Sequence, residues 1–536
     1  MPRRPVTAAA ALVSATVLLS ASLAACGHTG EGSAGGGGEG GGGGNDRGRI
    51  WAQSLSWRDC PAPSPLQGGG EAPEPLPDGT RWQCATMKSP LDWDKPAGET
   101  IDLALIRARS GAEDAGDRIG SLLFNFGGPG ESGVATLPAL AADYEKLRTR
   151  YDLVGFDPRG VGASNGVTCL DAEAMEEMSE QDDTPDDGDD EVRAVLRIHE
   201  VYAQACARES GRMLPHIGTE DAARDMELMR HLLGDDKLHY FGISYGTQLG
   251  GVYAHLFPRH VGRAVLDGVV DPTLDRMEEA LAQAGGFQLA FEHFARWCVR
   301  TGCPLGDSVD EVQALVMELE AALDDDPLTL DGERVLTGSL FLDAVVQALY
   351  LESAWPALAV GLELLAGDEG GTMLNLADAL GDRHAGVYSD QQDAQAAITC
   401  ADRSDRYTVD DVLEMAPAFE EASPLFGDTM MWGALECTDW PVPGKAGHPD
   451  VRAPGAPPIL LVGNTGDPAT PYAGAARMAE QLGKGVGVEL TYKGEGHGAY
   501  DSGNRCVQDT VNAYLLDGKV PSPGSVCEHE PLNGKQ

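Results

Sequence analysis

Residues 238–250 read Leu238-His-Tyr-Phe-Gly-Ile-Ser-Tyr-Gly-Thr-Gln-Leu-Gly250. A short apolar run passes into Gly242-Ile243-Ser244-Tyr245-Gly246 and then directly into a helical pattern. Glycine on both sides lets the backbone turn sharply enough for the Ser244 hydroxyl to stand clear of a sheet at a helix N-terminus. The motif alone is weak, and the chain holds a second match, Gly162-Ala-Ser164-Asn-Gly166. That one lies several residues past its strand (Tyr151 to Asp157) and no helix begins at its second glycine. Ser244 is therefore the candidate nucleophile and Ser164 a loop residue.

A nucleophilic serine needs a base and a group that orients the base. Downstream, Pro458-Ile-Leu-Leu-Val-Gly463 is a buried-strand pattern ending in Asn464-Thr-Gly-Asp467. Gly487-Val-Glu-Leu-Thr-Tyr-Lys493 alternates like another strand and ends in Gly494-Glu-Gly-His497-Gly. Both polar residues follow the C-terminal ends of strands, the edge at which a doubly wound sheet gathers its site. His497 is the expected base and Asp467 the group that fixes its tautomer. Stabilising a developing oxyanion takes two backbone amides. The first is expected from Tyr245. The second is expected from Gly128, in the loop Gly127-Gly-Pro-Gly-Glu-Ser-Gly133 that follows the apolar run Ser121–Phe126.

Arg3 and Arg4 precede an uncharged run from Val6 to Ala25 of signal-peptide length and composition. It ends Leu23-Ala-Ala-Cys26, which resembles a bacterial lipoprotein signal with Cys26 as the lipidated residue. Setting Cys26 aside leaves ten of the 11 cysteines, an even set suited to an oxidising compartment. Sequence leaves their connectivity open. Pairing near neighbours gives Cys60–Cys84, Cys169–Cys206, Cys298–Cys303, Cys400–Cys437 and Cys506–Cys527. With no C-x-x-C pair and no Cys/His cluster, no metal is expected. The formal net charge of −45 argues against nucleic acid and against electrostatic adhesion to anionic lipid. The expected location is extracytoplasmic, either secreted or held on the outer face of the membrane by lipid alone.

The chain divides into a signal peptide (1–25), a glycine-rich tether (26–50), and a first α/β core segment (51–271). A mostly helical cap (272–443) and a second core segment (444–536) follow. The core alternates strand and helix, whereas helical periodicity dominates the inserted unit, with runs at Met277–Cys298, Ser308–Leu323, Gly338–Glu352, Trp355–Leu365 and Asp410–Glu421. The acidic run Gln181–Glu191 reads as an exposed loop. The expected fold class is α/β, a doubly wound, mostly parallel sheet with a helical cap inserted between the serine half and the Asp/His half.

Six segments occur in one order: Asn125-Phe-Gly-Gly-Pro-Gly-Glu-Ser-Gly133, Asp157-Pro-Arg-Gly-Val-Gly-Ala-Ser164, Gly242–Gly246, Ala397-Ile-Thr-Cys-Ala-Asp402, Cys437-Thr-Asp-Trp-Pro441 and Gly466-Asp-Pro-Ala-Thr-Pro471. The set resembles the secreted tripeptidyl aminopeptidases of actinobacteria, in the proline-iminopeptidase-like branch of the α/β-hydrolases, and the resemblance runs from about Trp51 to Cys527. It implies an α/β-hydrolase fold and a cofactor-free serine exopeptidase acting on peptides with a free N-terminus. Ser244, Asp467 and His497 match the triad, and Gly128 and Tyr245 the oxyanion positions. Two positions depart from the family pattern: Phe126, and Glu131, which sets a carboxylate where relatives carry a small residue. An aminopeptidase also needs an anion for the substrate's ammonium. The candidates are Asp402, Glu436 and Glu352 in the cap, and Glu131 beside the oxyanion loop. A carboxylesterase acting on small or lipid esters would use the same triad and is the alternative reading.

Overall fold

Apolar residues on the central strands alternate between two faces, and each set finds its own helices. The computed structural model describes residues 45–529 apart from 113, 115, 182, 183, 186, 187, 331–333 and 446. Ten strands form one sheet: β1 (Arg58–Asp59), β2 (Gln83–Pro90), β3 (Thr100–Ala108), β4 (Gly120–Asn125), β5 (Tyr151–Phe156), β6 (Leu238–Ile243), β7 (Val261–Asp267), β8 (Ile459–Gly466), β9 (Gly487–Glu495) and β10 (Ser525–Glu528). Their order is β1-β2-β3-β5-β4-β6-β7-β8-β9-β10. Pairing is parallel from β5 through β10 and antiparallel among β1, β2, β3 and β5.

Leu123, Val154, Tyr240, Leu266 and Leu461 pack on one face, with residues of the helices Thr219–Leu233, Tyr245–Leu256 and Ala473–Leu482. Leu122, Phe124, Leu153, Phe241, Val265, Leu460 and Val462 pack on the other, against Leu137, Tyr144, Val507, Val511 and Leu515. Helices on both faces bury a parallel sheet completely, which is why its strands read as continuous apolar runs. The α/β-hydrolase reading of the sequence is the fold observed.

Between β7 and β8 the chain leaves the sheet for the cap. Its first helix, Arg276–Thr301, starts at an Asp275 capping box and stops at Gly302, whose φ of 73° suits a left-handed end. Phe287, Phe291, Phe294, Phe341 and Trp355 form the middle of a cap core that reaches Ala469, just past β8. A second excursion, between β5 and β6, also joins the cap. The 22-residue helix Asp189–Ser210 sets Val192 and Leu196 against a cap cluster containing Val412, Phe419 and Trp432. Residues 189–191, expected in a loop, are therefore the first turn of a helix, because the aliphatic face that follows them is buried.

The expected signal peptide (1–25), the lipidation site Cys26 and the tether up to residue 44 lie outside the described residues. The tether is shorter than expected, since Asn45–Trp51 is helical. Ile50 is buried there, and the Trp51 ring stands edge-on to His231 at 5.2 Å. All five near-neighbour cysteine pairs are disulfide-bonded, which fits an extracytoplasmic protein. Among the described residues no helix is long and apolar enough to cross a membrane.

Candidate active site

Ser244 sits between β6 and the helix Tyr245–Leu256 with φ 56° and ψ −126°. A non-glycine residue holds such a conformation only where its surroundings dictate it. Two close approaches do so here. Gly242 and Gly246 lie so near one another that a Cβ on Gly242 would stand 2.4 Å from Gly246 O. A Cβ on Gly127 would stand 2.7 Å from Ser244 Cβ and 2.8 Å from Ile243 O, so the oxyanion loop packs directly on the nucleophile turn. Gly127, Gly128 and Gly130 all have φ near +100°, a region only glycine enters freely. Asn125 Oδ1 accepts the Gly127 amide at 3.2 Å. No hydrogen bond among the described residues takes the amides of Gly128 and Tyr245.

The residues after β8 and β9 meet. His497 Nδ1 lies 2.8 Å from Asp467 Oδ1, and the Asp467 side chain is fully buried. Asp467 also accepts the amides of Ala469 (3.1 Å), Thr470 (2.9 Å) and Gly498 (3.1 Å), so its carboxylate cannot rotate away from the ring. A carboxylate only accepts, so Nδ1 carries the imidazole proton and Nε2 is left as the basic nitrogen. Burial alone would lower the His497 pKa. The charge and hydrogen bond of Asp467, with a smaller contribution from Asp267, outweigh burial and raise it above the ordinary imidazole value. The cap contributes Tyr350, whose carbonyl accepts the His497 amide at 2.8 Å and whose ring stands perpendicular to the imidazole at 5.3 Å.

The second G-x-S-x-G is structural. Ser164 is fully buried, donates to Asp157 O (2.7 Å) and accepts from Ala104 N (2.8 Å). The Asp157 side chain holds the start of the helix behind the oxyanion loop, accepting from Ser132 Oγ (2.7 Å), Val134 N (3.1 Å) and Ala163 N (2.9 Å).

The four candidate amine ligands separate. The Asp402 carboxylate accepts the amide (2.7 Å) and the hydroxyl of Thr219, tying down the start of the helix Thr219–Leu233. Burial, opposed by those two bonds, pushes its pKa up to about 6. Glu436 stands 3.5 Å from the Arg276 guanidinium, already facing a cation. Glu352 lies 3.6 Å from His529 Nε2 beyond the His497 loop, and burial raises its pKa. Glu131 borders a cavity of about 320 Å³ also lined by Gly68, Gly130, Asp382, His384 and Asp390. It accepts from the Thr136 hydroxyl, and burial, reinforced by Asp382 and Asp157, pushes its pKa up to about 7. Neither lysine nor arginine lines this cavity. The Glu131 amide donates to Gly127 O at 3.3 Å, and Gly127 in turn abuts Ser244. Those links keep the Glu131 backbone within about 10 Å of the nucleophile, the span of an extended tripeptide.

Two family profiles match the chain, one described as alpha/beta hydrolase fold over residues 120–310 and one as TAP-like protein over residues 423–527. The serine protease Hip1 of Mycobacterium tuberculosis is 35% identical over 489 residues, covering 89% of this chain and 91% of that protein. The chain belongs to the TAP-like α/β-hydrolases. The tripeptidyl aminopeptidase of Streptomyces lividans is similar at 32% over 482 residues, 88% of this chain and 86% of its own length. Carboxylesterase B of Mycobacterium tuberculosis is 35% identical over 462 residues, covering 83% and 86% respectively. This TAP-like chain is thus a serine hydrolase, and the resemblance read from its motifs holds at the level of the family.

Sequence reasoning missed Asp267 in this TAP-like site. Its carbonyl accepts the Ser244 amide at 3.0 Å, and its carboxylate accepts the amides of Ala499 and Tyr500. The signal was present, because Val-Leu-Asp267-Gly268 repeats the pattern of apolar strand, acid and turn used to find Asp467. Thr470, 3.4 Å from His497 Nδ1, was also missed.

Proposed function

We propose that the chain is a serine exopeptidase of the tripeptidyl-aminopeptidase type, cutting peptide bonds near free N-termini through Ser244, His497 and Asp467. The observation that carries this reading is the 2.8 Å contact between His497 and Asp467 at the sheet edge where Ser244 occupies its strained turn. In this mechanism Ser244 Oγ attacks the scissile carbonyl while its proton passes to His497 Nε2. The oxyanion then accepts hydrogen bonds from the amides of Gly128 and Tyr245. The imidazolium returns the proton to the departing amine as the C–N bond breaks, leaving an acyl ester on Ser244. Water, deprotonated by His497, attacks that ester, and the imidazolium returns the proton to Ser244 Oγ as the ester bond breaks and the acid leaves.

Glu131 is the amine anchor in this proposal. Its cavity holds three carboxyl groups and a single imidazole, burial raises the pKa of Glu131 to about 7 and of Asp390 to about 8, and a neighbouring ammonium group would hold Glu131 in its ionised form. A chromogenic tripeptide amide with a free N-terminus should be cleaved, and N-acetylation should abolish its cleavage. Glu131→Gln should raise KM for the free-amine substrate by at least about tenfold, as expected for removing one partner of a desolvated charge pair. Its turnover of a small neutral ester should match the parent. Equal rates on acetylated and free peptides would discard the aminopeptidase reading and leave the esterase reading, which the relative named Carboxylesterase B favours. Attachment to the membrane through lipid on Cys26 belongs to the same proposal. Cys26→Ala should then move the protein from membrane to soluble fractions, and an unchanged distribution would count against the anchor.

A further inference from the structure

Asp267 touches both halves of the site. It is the last residue of β7 and is almost completely buried. Gly268, with φ 63°, turns the chain away at once, and a Cβ there would meet His497 Cε1 and Thr470 Oγ1, each at 3.2 Å. From the main chain, Asp267 O accepts the Ser244 amide at 3.0 Å. From the side chain, Oδ2 accepts the Tyr500 amide at 2.8 Å, and the two oxygens share the Ala499 amide at 3.0 and 3.1 Å. One residue therefore fastens the nucleophile turn on one side and the loop carrying His497 on the other.

We infer that Asp267 is a second positioning carboxylate of the active site, holding the serine turn and the histidine loop in register and adding its negative charge to that of Asp467 behind the imidazolium. This inference rests on the Ser244–His497 reading proposed above. Asp467 already binds Nδ1, so Asp267 acts through the loop backbone and through its field. Both are larger in a buried site than at a surface. The titratable groups that face it are Asp467 from the end of β8, His497, Tyr500 and Asp501 from the loop after β9, and Tyr144 from the segment after β4. Burial pushes the Asp267 pKa up to about 6, the Tyr500 and Ala499 amides pull it down, and repulsion from Asp467 raises it. Asp267 is accordingly ionised at neutral pH and becomes neutral in mild acid.

The sign of the effect follows. His497 works as a base only when neutral, so activity falls as pH drops through its raised pKa. Removing the Asp267 charge removes one stabiliser of the imidazolium, and the acid limb should move to lower pH. Asp267→Asn, which keeps the shape and one accepting oxygen, should lower kcat by about tenfold or more with KM little changed. It should also move the acid-limb midpoint of kcat/KM down by about one pH unit, the size expected from losing one nearby charge. A folded Asp267→Asn protein with an unshifted midpoint overturns the inference, whatever its kcat. If that variant does not fold, the parent protein decides. Followed by NMR, the His497 imidazole should titrate more broadly than a single proton between pH 7 and 5, because protonating Asp267 lowers the His497 pKa as that range is crossed, and the breadth should persist in Asp501→Asn. A one-proton curve throughout overturns the inference. A parent protein inactive on amides and esters alike, and indifferent to Ser244→Ala, would instead mean that the serine-hydrolase mechanism itself has failed.

Discussion

Ser244→Ala is expected to lower kcat by about 10⁴- to 10⁶-fold on any substrate the parent enzyme turns over, since members of a triad act as one unit. The same change should leave the fold intact. The Ser244 side chain accepts no capping bond from the following helix, and the turn is held by its backbone amide on Asp267 O. Alanine is also smaller than serine in the contact with Gly127, where space is already short. Thermal unfolding within a degree or two of the parent, with activity lost, is the expected pair of results. Residual activity above about 1% of the parent would show that Ser244 is not the nucleophile.

The largest expected loss of stability lies elsewhere in the core. Arg159 has no exposed side-chain surface, and its guanidinium pairs in a fork with Asp225, Nε to Oδ2 at 2.7 Å and Nη2 to Oδ1 at 2.8 Å. Its remaining donors reach the carbonyls of Pro90 (3.1 Å), Leu91 (3.0 Å) and His216 (2.7 Å). Asp225 in turn accepts from Trp93 Nε1 at 3.0 Å and from Ser89 Oγ. The pair joins the loop after β5, the end of β2 and the helix Thr219–Leu233. Asp225→Ala would leave a buried guanidinium whose nearest remaining carboxylate, Asp221, is 3.8 Å away. Removing one partner of a buried pair costs about 3–5 kcal/mol. Denaturant unfolding with the disulfides intact should show a loss of that size, and a loss below about 1 kcal/mol would contradict the account of this motif.

The arrangement gives Asp157-Pro-Arg159-Gly-Val-Gly-Ala-Ser164 a purpose its sequence did not disclose. The three polar side chains Asp157, Arg159 and Ser164 are buried, as is Asp225, the partner of Arg159, and each is hydrogen-bonded to neighbouring protein groups. The sequence sets Ser164 aside as a loop residue, and the path of the chain adds that its side chain faces inward.

Legibility followed the range of the forces involved. β4, β5 and β6 were readable because strands buried on both faces leave an unbroken apolar run. The residues just past β8 and β9 were readable because a parallel sheet presents its functional groups at one edge. β2 was missed, since on an antiparallel edge Ala85, Met87 and Ser89 face inward while Thr86 and Lys88 face solvent, and a cysteine and a proline dilute that alternation. The helix Asp189–Ser210 was hidden by the acidic run at its start, and its apolar face makes sense only once the cap is there to cover it. The structural bond of Asp402 was hidden for a related reason: its partner Thr219 lies 183 residues away in sequence.

The central claim is that Ser244 is activated by a histidine which Asp467 holds in place. Its most direct measurement is mass spectrometry of the protein after treatment with a small fluorophosphonate, with every serine-containing peptide mapped. The account predicts one adduct per chain, on Ser244, and its disappearance when His497 is replaced by alanine. An adduct on Ser164 or on another serine, or labelling of Ser244 that proceeds equally well without His497, would contradict it.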